Sequence, residues 1–259
     1  MEFADEYTHE IQNCLPTKEV EDLYEYELQG CECEINCEID NCACLQRSGT
    51  FYNYNDVLEL RNYSVSEKNV RGPTYECNEN CKCKEKICGN RLVQFGPRKS
   101  LEVRPCEDPA KGLGLFTTDE INEGNFICEY AGEIITELEA SKRFRSNGEQ
   151  NKMNYVFCIN ENFGERTSKT FIDPTYYGNI GRYINHSCEP NCKLLVIRVN
   201  DTMPILGVFA DQNIEEKTEI TYDYGDAEKS TEGTTSHRKI CHCNSKNCRK
   251  YLPFNINLT

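Results

Sequence analysis

Nine cysteines between residues 31 and 88 constrain this chain more than any other feature of its sequence. They run Cys31-x-Cys33-x3-Cys37-x4-Cys42-x-Cys44 and then, after 32 residues, Cys77-x3-Cys81-x-Cys83-x4-Cys88. So little apolar sequence separates the thiols that the segment cannot bury a core of its own, and cross-links have to hold it. Metal or disulfides could serve. The start, Met1-Glu2-Phe3-Ala4-Asp5-Glu6, lacks the basic and apolar regions of a signal peptide. The expected compartment is therefore the cytosol or nucleus, where thiols stay reduced, and metal is favoured over a disulfide scaffold. Nine thiolates cannot fill three separate tetrahedral sites, which would take twelve ligands. If three sulfurs each bridge two ions, however, nine thiolates supply twelve bonds and satisfy three zinc ions in a ring.

The same spacing returns near the C-terminus as Cys241-x-Cys243-x4-Cys248, one ligand short of a tetrahedral site, so a fourth thiolate is expected from elsewhere. His242, between two of these ligands, reads as exposed rather than metal-bound. Cys14 stands alone and reads as an ordinary thiol. All the inferred ligands are thiolates with no open position, which makes the zinc ions structural rather than catalytic.

Charge narrows the partners. The formal net charge is −14, and residues 1–44 carry thirteen Asp and Glu against the single Lys18, which leaves −12 there and −2 elsewhere. Such an excess disfavours a binder of the phosphate backbone, so no direct sequence-specific nucleic-acid binding is expected. A basic peptide suits it better. No run of eighteen apolar residues exists, and no membrane association is expected.

Hydrophobic content of 38% with 28% charged residues over 259 residues fits one catalytic domain with elaborations, or two small domains. Residues 1–27 read as an acidic lead-in, poorly ordered or partly helical. Residues 28–90 hold the first cysteine clusters, with Leu45–Glu76 as a polar and partly mobile bridging loop. Residues 91–226 form the catalytic unit and 227–259 the second cysteine segment with its tail. Within the catalytic unit the pattern predicts short strands at Leu101–Arg104, Leu115–Thr117, Asn125–Ile135, Tyr155–Ile159, Thr170–Asp173, Lys193–Val199, Ile205–Ala210 and Glu219–Tyr224. Glu137–Arg145 alone reads as a helix of any length. The fold class is thus mainly β, built of several small sheets. With no strand-GxGxxG-helix unit, a doubly wound nucleotide-binding fold is excluded.

Two stretches in this unit look like a site. Gly181-Arg182-Tyr183-Ile184-Asn185-His186-Ser187-Cys188-Glu189-Pro190-Asn191-Cys192 is too polar for an ordinary core segment and closes on a Pro-Asn turn. Ile220-Thr221-Tyr222-Asp223-Tyr224-Gly225 alternates Tyr with polar residues, so Tyr222 and Tyr224 should share one strand face and line a pocket.

Together, in this order, Asn-His-Ser-Cys-x-Pro-Asn and Tyr-Asp-Tyr-Gly resemble the two signature segments of the SET-domain protein lysine methyltransferases. In that family the segments thread through each other in a knot-like core where the methyl donor meets the target lysine. The nine-cysteine run resembles the pre-SET zinc cluster of the branch associated with histone H3 lysine-9. The C-terminal cysteines resemble the post-SET site, which implies Cys188 as fourth ligand and a tail that completes the wall of the lysine channel. Phe171–Arg182 is similar both to that branch and to the branch in which a SET unit is fused to a transposase, and the two have been linked to different histone sites, lysine-9 and lysine-36.

The resemblance implies S-adenosylmethionine as cofactor beside zinc, the histone H3 tail within chromatin as partner, and the nucleus as location. It implies Tyr224 as the phenol that orients methyl and amine, with Tyr130, in Glu129-Tyr130-Ala131-Gly132-Glu133, and Tyr222 lining the same channel. It assigns the donor to Lys111-Gly112-Leu113-Gly114, Tyr155, Arg182, Tyr183, Asn185 and His186. Arg104 is a weaker candidate, since two extra residues separate it from Gly112. The family usually has Trp where this chain has Leu113, which removes an aromatic surface beside the donor. Tyr222 stands where SET enzymes carry Phe or Tyr, and its hydroxyl implies mainly mono- and dimethyl products. A zinc-stabilised chromatin-binding module without turnover is the alternative reading. Asp173 is a candidate contact for a basic residue of the peptide, or a strand-end Asp that caps a turn.

Overall fold

The computed structural model describes residues 8–34, 37–48, 51–52, 58–59, 72–83, 88–150, 152–225 and 239–253. Most of its strands are short. In chain order they are β1 (His9–Glu10), β2 (Leu15–Pro16), β3 (Phe51–Tyr52), β4 (Leu58–Glu59), β5 (Thr74–Tyr75), β6 (Leu101–Pro105), β7 (Leu113–Thr117), β8 (Phe126–Glu129), β9 (Gly132–Ile135), β10 (Phe157–Phe163), β11 (Arg166–Gly178), β12 (Asn185–His186), β13 (Cys192–Arg198), β14 (Ile205–Ala210) and β15 (Thr221–Tyr222). The α-helices are α1 (Ala43–Arg47) and α2 (Glu137–Glu149). No described helix is long and apolar enough to cross a membrane.

Two sheets frame the catalytic unit. One pairs β11 with β10, β9 and β1, with β2 beyond β9, and the other runs β5-β13-β14-β8. The run expected as a single strand from Asn125 to Ile135 divides between them. Phe126–Glu129 pairs with β14, whereas Gly132–Ile135 pairs with β11. A side chain at Gly132 would put its Cβ 2.5 Å from the Asp173 carbonyl carbon, so only glycine lets the chain cross so close to β11. Tyr130 therefore lies at the corner where the chain changes sheets. Buried residues of both sheets meet in one core that includes Leu115, Ile127, Ile134, Ile172, Val208, Ile220, Tyr130 and Tyr222.

The helix α2 starts where its sequence says it should. Thr136 accepts a hydrogen bond from Glu139 N–H (3.1 Å), with Glu137 and Glu139 in the first turn, a capping arrangement that also suits the helix dipole.

The acidic lead-in departs from expectation. Beyond one turn of 3-10 helix at Glu21–Tyr24, residues 8–20 enter the sheet as strands: β1 pairs with Tyr177 and Gly178, and β2 pairs with Glu133 and Ile134, both parallel. Cys14 and Val20 are buried in the core, and this apolar pair anchors the segment despite its charge. The bridging insert opens with α1 and closes with β5, and residues 53–57 and 60–71, where mobility was expected, lie outside the described residues. Glu76 pins the insert's end to the core, since its buried carboxylate accepts from Tyr52 OH (2.7 Å), Leu92 N (2.9 Å), Val93 N (2.7 Å) and Gln94 Nε2 (2.7 Å).

Candidate active site and metal centres

The two signature stretches meet as predicted. β12 and β15 pair in parallel, Asn185 opposite Thr221 and His186 opposite Tyr222, and the Ser187 N–H continues to Tyr222 O at 3.1 Å. Asn191, which sequence reasoning treated only as part of a turn, supports the crossing with its side chain. Its Oδ1 accepts from Thr221 N–H (2.9 Å) and its Nδ2 donates to Glu219 O (2.8 Å).

On one side of the crossing lie the phenols. The rings of Tyr222 and Tyr224 are 4.8 Å apart, although Tyr224 already lies beyond the two-residue strand, and Tyr130 meets Tyr222 edge-on at 6.1 Å. Phe157 completes this wall, 6.0 Å from Tyr130 and 6.2 Å from Tyr222. Only its distance along the chain concealed it. Tyr130 OH donates to Tyr155 O (2.6 Å) and Tyr224 OH to Ile184 O (2.8 Å). Burial pushes all three phenols above their ordinary pKa, with neighbouring phenols adding to the effect.

On the other side lie the residues expected at the donor. Asn185 Nδ2 donates to Leu113 O (3.0 Å) and Glu219 Oε1 (2.9 Å), with Cys106 Sγ at 3.3 Å, which joins β12 to the Lys111–Gly114 segment. Lys111 is ion-paired with Glu219. At Leu113, it is the backbone that takes part. Gly112 has φ of 72°, a left-handed conformation suited to glycine. The Arg182 guanidinium lies 4.8 Å from the Tyr155 ring centroid and 5.2 Å from that of Tyr183. Glu219 was missed because it directly precedes the recognised stretch and bears no local signal.

His186 joins the two sides. Its Nδ1 accepts the Tyr224 N–H (3.2 Å), and its Nε2 lies 3.3 Å from Cys188 Sγ and 3.4 Å from Arg249 Nη2. Burial draws this imidazole down to about 4, partly opposed by Asp223, so it is neutral at physiological pH.

Two sequence candidates are not brought to the site. The Arg104 guanidinium lies over the Phe116 ring at 3.6 Å and donates to Lys217 O (3.2 Å). Asp173 is 0% exposed; Arg143 (2.8 Å) and Thr175 N–H (3.0 Å) occupy its carboxylate. Asp173 lies within β11, where its carboxylate is spent on Arg143 and the Thr175 backbone, so it does not face a peptide.

The cysteines gather as metal sites. Cys188 joins Cys241, Cys243 and Cys248, all four sulfurs lying within 4.8 Å of one another, while His242 turns away to Asp108 at 3.2 Å. In the first cluster the sulfur separations are 3.8 Å for Cys31–Cys37, 3.9 Å for Cys31–Cys77, 3.6 Å for Cys37–Cys77, 3.6 Å for Cys44–Cys81 and 3.6 Å for Cys37–Cys88. Tetrahedral zinc, with Zn–S of about 2.3 Å, sets its sulfurs about 3.8 Å apart. Disulfides need about 2 Å. Every described cysteine is a free thiol, and the donor set fits zinc.

The SET domain family matches residues 112–225 and the Pre-SET motif family residues 2–91. The chain is 38% identical over 251 residues to the probable histone-lysine N-methyltransferase set-23 of Caenorhabditis briggsae, covering 95% of this chain and 97% of that one. The chain belongs to the SET-domain histone-lysine N-methyltransferases. Another member, SETMAR of Rattus norvegicus, is 37% identical over 239 residues, covering 88% of this chain and 73% of that one. Among solved structures, the methyltransferase domain of human SETMAR superposes with a TM-score of 0.78 at 31% identity, covering 96% of this chain and 90% of that one. KRYPTONITE, solved with mCHH DNA, an H3(1-15) peptide and SAH, gives 0.72 at 28% identity, covering 95% of this chain and 47% of that one. This SET enzyme is a histone-lysine N-methyltransferase of the same broad class as SUV39H2 of Xenopus tropicalis, to which it is 32% identical over 235 residues, covering 86% of this chain and 54% of that one.

Proposed function

We propose that the enzyme uses S-adenosylmethionine to methylate lysine-9 of the histone H3 tail, giving mainly mono- and dimethyl-lysine, and that it acts in the nucleus on chromatin. The observation that carries this reading is the use of the phenol hydrogens. Tyr130 and Tyr224 each donate theirs to a backbone carbonyl, so their remaining lone pairs can only accept. A group that offers N–H donors suits such a channel, and the neutral lysine amine does so while keeping its one lone pair for the methyl group.

A lysine is protonated at neutral pH, and removing its proton costs about 4–5 kcal/mol at the reference pKa. The apolar and phenolic wall of Phe157, Tyr130 and Tyr222 disfavours the ammonium by desolvation. The phenols themselves, raised by burial, stay protonated, so none is a phenolate base and the lysine proton leaves to water. Their task is to aim the amine. When bound, S-adenosylmethionine supplies an electrophilic methyl group. Asn185 fits such a ligand because its Nδ2 is committed to the protein and its Oδ1 remains for a ligand N–H. His186, Tyr155, Arg182, Tyr183 and the backbone of Lys111–Gly114 complete the candidate donor side. SAM-bound SUVH6, at 26% identity, and the peptide-bound KRYPTONITE support both ligands.

For the first cluster we read three zinc ions. Cys31, Cys37 and Cys77 form a triangle of 3.8, 3.9 and 3.6 Å, as three bridging sulfurs of a ring must, since each pair shares an ion. Cys33 and Cys42 would then join Cys31 and Cys37 in holding one ion, Cys44 and Cys81 would join Cys31 and Cys77 at a second, and Cys83 and Cys88 would join Cys37 and Cys77 at a third. A fourth ion belongs to Cys188, Cys241, Cys243 and Cys248.

The test is to incubate the protein with labelled S-adenosylmethionine and histone octamers and to map the product by mass spectrometry. Methyl groups on H3 lysine-9 are expected. Label at lysine-36 instead would overturn the substrate assignment, and no transfer to any histone lysine would overturn the reading as a whole.

A further inference from the structure

Among the described residues, Arg249 ties the four-cysteine tail to the Asp223–Gly225 turn. Arg249 follows Cys248, and its backbone N–H donates to Cys188 Sγ (3.3 Å). Its guanidinium reaches across to the residues that flank Tyr224, with Nη2 donating to Asp223 Oδ1 (2.5 Å) and Nη1 to Gly225 O (3.3 Å). Asp223 Oδ1 also accepts the Gly225 N–H at 3.2 Å, closing the turn around Tyr224. The tail's other described side-chain ties go elsewhere. Glu189 accepts from Lys246 N (3.0 Å) and Asn247 Nδ2 (2.5 Å), His242 pairs with Asp108 (3.2 Å), and Lys239 donates to Lys152 O (2.7 Å). These dock the tail without gripping the turn.

We propose that Arg249 is a positioning residue that clasps the four-cysteine site to the Asp223–Gly225 turn and thereby holds Tyr224 in the channel. The turn needs such a clasp. β15 ends at Tyr222, and Gly225, at φ of 130°, has no side chain to pack. Beyond the clasp, Tyr224 is held by His186 Nδ1 at its N–H and by Ile184 O at its phenol. A charge-assisted bond with a second bond to a carbonyl fixes direction as well as distance, which a lone lysine ammonium does less well. The catalytic consequence rests on the proposed role of Tyr224, whereas the clasp itself does not.

Hydrogen exchange read by mass spectrometry separates the two, because it needs no turnover. In Arg249→Ala and Asp223→Asn with the zinc content of the unaltered protein, the peptide covering residues 220–225 should exchange about tenfold faster, with β13 and β14 unchanged. Arg249→Lys should recover part of the protection. With histone octamers, kcat should fall by about ten- to a hundredfold in Arg249→Ala, as expected when a reacting geometry loosens. Should Arg249→Ala lose zinc, Asp223→Asn decides, since it touches none of the four cysteines. Exchange as slow as in the unaltered protein, in a variant that keeps its zinc, overturns the clasp. Loosened exchange in a protein with no methyl transfer would leave the clasp standing and remove the proposed function.

Discussion

Replacing Glu129 by Gln should make the stability of this protein less dependent on pH, and the size of the effect follows from the burial of one carboxyl. Glu129 is 5% exposed, next to Tyr130, and accepts the Cys14 N–H at 3.2 Å. Burial lifts its pKa from 4.5 to about 7, against the lowering effect of the Cys14 contacts. For an acid raised on folding, the folded state holds the proton more tightly. Its contribution is fully present below about 4.5 and is lost as pH rises through about 7. A shift of about 2.5 units corresponds to about 3 kcal/mol at 1.36 kcal/mol per unit, of which about 2.5 kcal/mol falls between pH 5 and pH 8. Gln keeps an acceptor for the Cys14 N–H and never ionises. Relative to the native protein, Glu129→Gln should therefore gain about 2.5 kcal/mol between pH 5 and pH 8, or roughly 5–10 °C in Tm for a chain of this size. Urea denaturation of both proteins across that range measures it, and the pH dependence of the zinc sites cancels in the difference. A difference that stays flat from pH 5 to pH 8 would refute the argument that the carboxyl is desolvated where the N-terminal segment meets the core.

Metal analysis should return about four zinc ions per chain, and one or none on folded, active protein would sink the bridged cluster. Cys241→Ser should lose one of the four and abolish turnover with the core still folded, as circular dichroism would report; retained activity would remove the tail from the channel wall. Tyr222→Phe should shift the product toward trimethyl-lysine with the first transfer largely kept. Displacing a hydrogen-bonded partner at the channel end costs about 1–3 kcal/mol, or roughly tenfold to a hundredfold in rate for each further methyl. Mass spectrometry of a peptide product that shows the same ratio in both proteins would leave Tyr222 as packing alone.

Much of this site was legible because its chemistry is written in unusual residues at fixed spacing. Thiol spacing marked both cysteine clusters, with Cys188 supplied by the family resemblance, and Asn185, His186, Tyr222 and Tyr224 meet at the crossing of the two signature stretches. What escaped has no such mark. Phe157, Glu219 and Arg249 reach the site from separate parts of the chain, and their residue types are common on any β-rich surface. The N-terminal segment was misjudged for a related reason. Its described acidic residues lie on exposed positions, while Cys14 and Val20, two small apolar residues without a period, do the anchoring. Asp173 misled in the opposite sense. An acid near a predicted channel suggests a basic peptide, but Arg143, on a helix thirty residues earlier, neutralises it.

The crossing of β12 and β15 explains why so short a ladder can carry a reaction centre. Two residues on each strand give few backbone bonds, worth about 1 kcal/mol apiece. Asn191 supplies more, its amide acting as a strand neighbour for the Thr221 N–H and the Glu219 carbonyl. Removing it would leave that buried N–H without an acceptor, at a cost of about 1–3 kcal/mol. The same side chain also fixes register, because its two bonds fit only one alignment of the strands. Register matters here more than in a long sheet. His186 lies opposite Tyr222, and a slip of one residue would turn the face bearing Tyr222 away from Tyr130 and Phe157. The residues proposed for the donor side and for the channel are thus aligned by a single set of bonds, so a change that loosens the crossing should weaken donor binding and methyl transfer together.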